Sequence, residues 1–288
     1  MMNRKRIALA LLILLVGVSV TTLAQRFGGR TGGDYDDPRA YQRTEITPMW
    51  TNAPAFKKDV FTFVRLKYGS WSGFSRGRGG GWATDYPDAD LNFAWRLQQM
   101  TSLKVDPNGK VLEIVDPELL NHPWCYMVEP GRLRFSDEDV AALRKYLLNG
   151  GFMMVDDFWG DGEWENFYTE MKRVFPQREP IELNMKHPIF HTVFDIKLAK
   201  KDMQVPNVRT GTEHQWTGVT HERGEDGRDV HFKGFFDDKN RMMVFIAHNT
   251  DNGDGWEREG ENHYYFKEFA EKKAYPLGIN VVFYAMTH

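Results

Sequence analysis

Gly150 to Gly162, GGFMMVDDFWGDG, is the stretch whose reading decides the fold. An apolar run, Phe152-Met153-Met154-Val155, stops at two carboxylates, Asp156 and Asp157. Two aromatics, Phe158 and Trp159, follow, and then a Gly-Asp-Gly turn. This is the pattern of a buried strand whose carboxyl end delivers acidic and aromatic side chains to a loop. In open α/β sheets, ligands bind at that end of the strands. Neighbouring residues on a strand point to opposite faces, so at most one of the two acids enters a given pocket unless the strand has already ended.

Upstream of this strand, Ser136-Asp137-Glu138-Asp139 opens a helix with Ser136 at the cap and acids in the first turn, and Asn149-Gly150-Gly151 ends it. Trp124–Val128 reads as a strand, as do Val111–Val115 and Val60–Leu66. Asp88 is read as the cap of a helix running to about Thr101. Downstream, Trp164–Phe175 reads as a helix closed by Pro176, and Pro180–Val208 as loop with short strands. Val230–Phe236 and Met242–Ala247 form a hairpin around Asp237-Asp238-Lys239-Asn240. His263–Lys272 fits a helix, and Leu277–Met286 is read as a C-terminal one. Strands alternating with helices imply an α/β layered sandwich with a largely parallel sheet and a hairpin addition.

The chain has 288 residues, enough for one large domain, and its 41% hydrophobic content supports a sizeable core. Residues 1–24 are read as a signal peptide: a basic start at Arg4-Lys5-Arg6, an apolar run from Ile7 to Val18, and small residues before Gln25. Export to the periplasm or outside the cell is the expectation, with membrane attachment only through an uncleaved leader. Residues 25–58, rich in Gly, Asp and Pro, read as a flexible linker, and 59–288 as the folded domain. Removing the three leader cations takes the formal charge from −3 to −6, which argues against nucleic-acid binding. The one cysteine, Cys125, lies in the apolar run Trp124–Val128 and reads as a buried thiol; a chain with one cysteine forms no internal disulfide.

Chemistry is less legible. No phosphate-loop or dinucleotide fingerprint is present, and no G-x-S-x-G or HExxH. The Gly-rich segment after the first strand places Trp71, Arg78, Trp82 and Asp85 in one loop, where glycines and arginines suit an anion or a polar ligand. His248-Asn249-Thr250-Asp251-Asn252-Gly253-Asp254-Gly255-Trp256-Glu257 is dense in oxygen ligands but fails the EF-hand pattern, so no metal set or cofactor is assigned, and an Asx-rich turn is expected there. Asp157, with Asp156 and His248, is the candidate catalytic set. Trp71, Arg78, Trp82, Asp85, Trp159, Asp254 and Trp256 are the candidate ligand-binding set, the tryptophans offering a stacking surface for a sugar or peptide.

Four stretches together resemble a known family: TDYPDADLNFAWRL (84–97), GGFMMVDDFWG (150–160), HNTDNGDGWE (248–257) and LGINVVFYAMTH (277–288). In this order they look like family 4159 of the domains of unknown function, over about Val60 to His288. That family is similar to the class I glutamine amidotransferase-like superfamily, which implies a three-layer flavodoxin-like sandwich. Bacterial members are often exported or membrane-associated. Superfamily enzymes carry a nucleophilic Cys on a sharp strand-to-helix elbow; Asp156, Asp157 and Phe158 stand there in this chain, so the amidotransferase activity does not carry over. The expectation is an exported, non-catalytic domain that binds a small ligand or an envelope protein. The alternative is a carboxylate- or metal-dependent hydrolase using Asp157, with Asp156, His248 or Asp254 assisting.

Overall fold

The computed structural model describes residues 38–43, 47–56, 59–70 and 81–288. The signal-peptide reading, Trp71 and Arg78 lie outside the described residues. Seven strands form one sheet in the order β2-β1-β3-β4-β7-β6-β5. They are β1 Val64–Lys67, β2 Lys110–Glu113, β3 Trp124–Val128, β4 Phe152–Asp156, β5 Ile181–Glu182, β6 His231–Phe236 and β7 Met242–His248. β2, β1, β3, β4 and β7 run parallel, while β6 is antiparallel to β7 and β5 antiparallel to β6. The expected hairpin is thus the β6–β7 pair.

β3 and β4 are buried along their whole length, as a parallel sheet covered on both faces requires. The period-two alternation divides their side chains. Trp124, Tyr126, Val128, Phe152 and Met154 join the core on one face; Cys125, Met127, Met153 and Val155 join the core on the other. The first core is closed by α1 (Asp88–Met100) and by the C-terminal helix described below, and the second by α2 (Asp137–Leu148) and α3 (Gly160–Val174). The result is three layers of mixed α/β structure.

α2 begins as its sequence dictates. The Ser136 hydroxyl accepts from Asp139 N (3.0 Å), and the Asp139 carboxylate accepts from Ser136 N (2.9 Å), a reciprocal capping box. α1 begins differently. Asp88 is its first residue rather than its cap, and the Asp88 carboxylate accepts from Arg43 N at 3.0 and 3.1 Å. α3 starts four residues earlier than the periodicity indicates, because the Gly160-Asp161-Gly162 triplet forms its first turn instead of a separate loop. Two further helices are α4 (Val208–Thr217), just beyond the segment read as loop, and α5 (Asn252–Glu257), where an Asx-rich turn is expected. A π-helix, Phe266–Ala274, runs into α6 (Tyr275–Thr287), which confirms the helical choice for the C-terminus.

Part of the segment read as linker packs on the domain. Arg39 donates to Asn108 Oδ1, Pro107 O and Thr47 O; the Thr47 hydroxyl donates to Asn92; and Trp50 donates to Val105 O.

One charge is wholly inside. Arg65, in the middle of β1, is fully buried. Its Nε donates to both oxygens of Asp90 on α1 at 3.0 Å, and Nη2 adds a contact of 2.5 Å to Oδ1. Its Nη1 donates to Trp82 O (3.0 Å) and Thr84 O (2.8 Å). Removing one partner of a buried ion pair strands the other, so Arg65→Met is expected to lower unfolding free energy by about 3–5 kcal/mol. Ser136→Ala, at an exposed cap, is expected to lower it by only about 1 kcal/mol. Urea unfolding of both variants measures the contrast, and similar losses would contradict it.

A buried carboxylate site at the end of the sheet

The loops that follow β1, β3, β4 and β7 each hold a non-glycine residue in the left-handed region: Asp85 (φ 61°), Glu129 (φ 46°), Asp157 (φ 57°) and Asn249 (φ 58°). Such residues are uncommon, and each costs on the order of 1 kcal/mol that the surroundings must offset. Here the offsets are visible. Asp157 N donates to Thr250 O (3.1 Å), and Glu129 N donates to Asp156 O (3.1 Å), carrying the ladder past the strand ends. Asn249 N donates to Phe158 O (2.9 Å), and its side chain accepts from Gly160 N (2.7 Å) while donating to Asp226 O and Asp229 O. The turns after β3, β4 and β7 therefore hold one another, and the loop after β1 joins them where Gly81 N donates to the Glu129 carboxylate.

Strand β4 ends at Asp156, and the two adjacent acids then take different roles. Asp156 is fully buried and saturated: it accepts from Tyr126 Oη (3.0 Å), Asn252 N (2.9 Å), Asn252 Nδ2 (2.8 Å) and Gly253 N (3.0 Å). It holds the start of α5 in place. Asp157 commits Oδ1 to Trp159 Nε1 (3.0 Å), and its other oxygen accepts no hydrogen bond among the described residues. Asp251, the cap of α5, accepts from Asp254 N at 2.7 Å through Oδ1. Asp85, 8% exposed, has an Oδ2 with no hydrogen-bond partner.

Ligand atoms of Asp85, Asp157 and Asp251 lie within 4.8 Å of one another, and those of Asp85, Asp254 and Glu257 do the same. All five side chains are buried. The cations close to them are engaged: Arg65 binds Asp90, while Arg258 contacts Asp254, Glu257 and Glu261. Burial and mutual repulsion therefore raise these acids. Asp85, Asp157 and Asp251 are all pushed well above the ordinary carboxylate range, first by burial and then by neighbouring carboxylates. Burial lifts Asp156 to about 6, and lifts Glu222 and Glu257 to about 7.

Of the residues singled out in the sequence, the structure brings Asp85 close to Asp157 in one group and to Asp254 in the other, with Asp156 and Trp159 as supports. His248 is elsewhere. It lies on the opposite face of the sheet, packed between Phe158 and Trp164, with Nε2 3.2 Å from Gly160 O, and burial lowers its pKa to about 4. Trp256 is a core residue, fully buried against Phe93 and Tyr126. Trp159 is also buried, so neither ring offers an open stacking face. Trp82 is half-buried beside Tyr86. Asp251, Glu257 and Tyr126 were missed as site residues. The first two stand in the oxygen-rich stretch already noted, where reading a turn in place of a helix hid their common face.

The raised acids have a consequence for stability. A carboxyl whose folded pKa lies above its unfolded value stabilises the fold below the unfolded pKa, and that contribution is lost as pH rises through the folded one. For Asp156 the window runs from 3.8 to about 6, and for Glu222 and Glu257 from 4.5 to about 7. His248 acts in the opposite sense, losing stability as pH falls from 6.5 through about 4. Burial also lowers His122 and His187, but nine raised acids outweigh three imidazoles, so in chelator-treated buffer the unfolding free energy is expected to fall between about pH 5 and pH 7. Urea titrations across that range measure it, and a rise would refute the assignment.

Comparison with known proteins finds no curated protein that matches this sequence. Residues 62–286 match a family described only as a domain of unknown function, DUF4159, and that span includes every carboxylate of the site. The chain belongs to this family.

Proposed function

We propose that the domain binds a divalent cation at the carboxyl end of its sheet, and through that cation a small oxygen-bearing ligand. One observation carries this reading: Asp85, Asp157 and Asp251 converge within 4.8 Å while Asp85 Oδ2, buried, receives no hydrogen bond. Buried charges are paired or coordinate metals, and no free basic group stands beside these three among the described residues. Carboxylate oxygens suit hard ions such as Mg²⁺, Ca²⁺ or Mn²⁺.

Gly253 supports the same reading. A Cβ there would stand 2.5 Å from Asp85 Oδ2 and 2.9 Å from Tyr126 Oη, so the space against the Asp85 carboxylate exists only because this position has no side chain. The scaffold is read as flavodoxin-like and class I glutamine amidotransferase-like. On it, Asp157 occupies the left-handed turn between β4 and α3 where that superfamily carries its thiol. Cys125 does not substitute for that thiol: it is fully buried inside β3, and burial lifts its pKa to about 12.

Calorimetric titration of chelator-treated protein with Ca²⁺, Mg²⁺ and Mn²⁺ tests the reading. At an ion concentration of about 100 times Kd, the expected stabilisation is roughly 2.7 kcal/mol. Asp157→Asn and Gly253→Ala are each expected to weaken binding at least about tenfold, a loss of about 1.4 kcal/mol. No heat and no thermal shift with any of the three ions would overturn it. The reading also includes export through residues 1–24: N-terminal sequencing of the secreted protein is expected to start at Gln25, and a chain retaining Met1 in the cytoplasm would remove that part alone.

A further inference from the structure

We infer that Asp85 serves two cation positions at once, the second completed by Asp254 and Glu257. The inference rests on the cation reading above and extends it from one ion to two.

The geometry starts with α5. Asp251, Asp254 and Glu257 are spaced three apart, which places them along one face of that helix and its cap. Asp85 comes from the loop after β1 and belongs to both close groups, with Asp157 and Asp251 on one side and Asp254 and Glu257 on the other. A carboxylate has two oxygens and can serve two neighbouring ions, and paired-ion centres use this kind of shared ligand.

Asp85, with its unsatisfied Oδ2, is common to both positions. Asp85 Oδ2 accepts no hydrogen bond, and neither does Glu257 Oε2 on a side chain 1% exposed. Arg258 Nε lies 2.8 Å from Glu257 Oε2 without hydrogen-bond alignment, and 3.2 Å from Asp254 Oδ1. Asp254 Oδ2 accepts from Val208 N. Arg258 therefore bridges Asp254 and Glu257 from one side, and an ion at the second position shares these two carboxylates with it.

Charge points the same way. The two groups contain five different carboxylates, and Arg258 supplies one positive charge beside them. With all five ionised, as ligation of a cation requires, a single divalent ion leaves two buried negative charges uncompensated, whereas two divalent ions balance the set. Leaving buried charge unpaired is among the most costly arrangements a protein interior can hold.

The test counts ions on the full chain. Metal-stripped protein is dialysed against Mn²⁺, and bound manganese is measured per chain, with electron paramagnetic resonance recording whether the ions are spin-coupled. Two ions per wild-type chain with a coupled signal are expected, falling to one uncoupled ion in Glu257→Gln and to one in Asp157→Asn. One ion per wild-type chain overturns the shared centre while leaving the single-cation reading intact. Two ions in both wild type and Glu257→Gln overturn the assignment of Glu257. No bound ion overturns both readings. Should either variant fail to fold by circular dichroism, the wild-type count and its spin coupling decide alone.

Discussion

Arg65 carries a charge into a place that water does not reach, and the carboxyl end of the sheet is arranged around it. A buried guanidinium demands acceptors for all its N–H groups. Asp90 on α1 takes one side of the fork, and the carbonyls of Trp82 and Thr84 take the other. Its plane also lies over the Tyr126 ring at 5.2 Å. The same group therefore fixes a strand, a helix and the loop that leads into Asp85. Without it the residues before Asp85 would lose their two carbonyl contacts to β1 and keep the bond from Gly81 N to the Glu129 carboxylate at the end of β3.

That dependence explains how so many acids share one region. Three of the left-handed residues at strand ends, Glu129, Asp157 and Asn249, are held by backbone hydrogen bonds to the next loop, so strain in one turn is offset by its neighbour. Asp156 shows the cost of the alternative. Its four hydrogen bonds use donors from β3 and α5, and they leave it no oxygen to spare for a ligand. One residue later, the chain has turned and Asp157 keeps an oxygen unengaged. Two adjacent identical residues thus divide into a structural member and a site member because the strand ends between them.

The sheet was legible because its signals are local. β3 lies within a run of apolar residues with no interruption, and α2 carries its own capping box in Ser136 and Asp139. The failures occur where the stabilising partners are remote. α3 begins at Gly160 because Gly160 N, Asp161 N and Trp159 N find acceptors in Asn249, Asp226 and Glu163, two of which come from distant loops. α4 shows no apolar stripe, since the residue it buries is Gly211, against the Tyr265 ring. α5 is short and made of residues that favour turns; the Asp156 carboxylate across the sheet end makes it a helix. The site followed the same rule: Asp85, Asp157 and Asp254 stood out as residue types, but their convergence with Asp251 and Glu257 is a property of the topology.

Cys125 sits at the centre of β3 with no accessible surface, its Sγ 3.6 Å from Phe152 O, and it is the sole cysteine of the chain. Reagents that attack sulfur cannot reach it while β3 stays paired on both sides, and deprotonation is suppressed as well. Its modification in the native protein must therefore await opening of the sheet itself rather than local fraying. The molecule carries an internal clock for global opening, readable by mass from a single adduct, at the strand that joins the Arg65 side of the sheet to the Asp157 side.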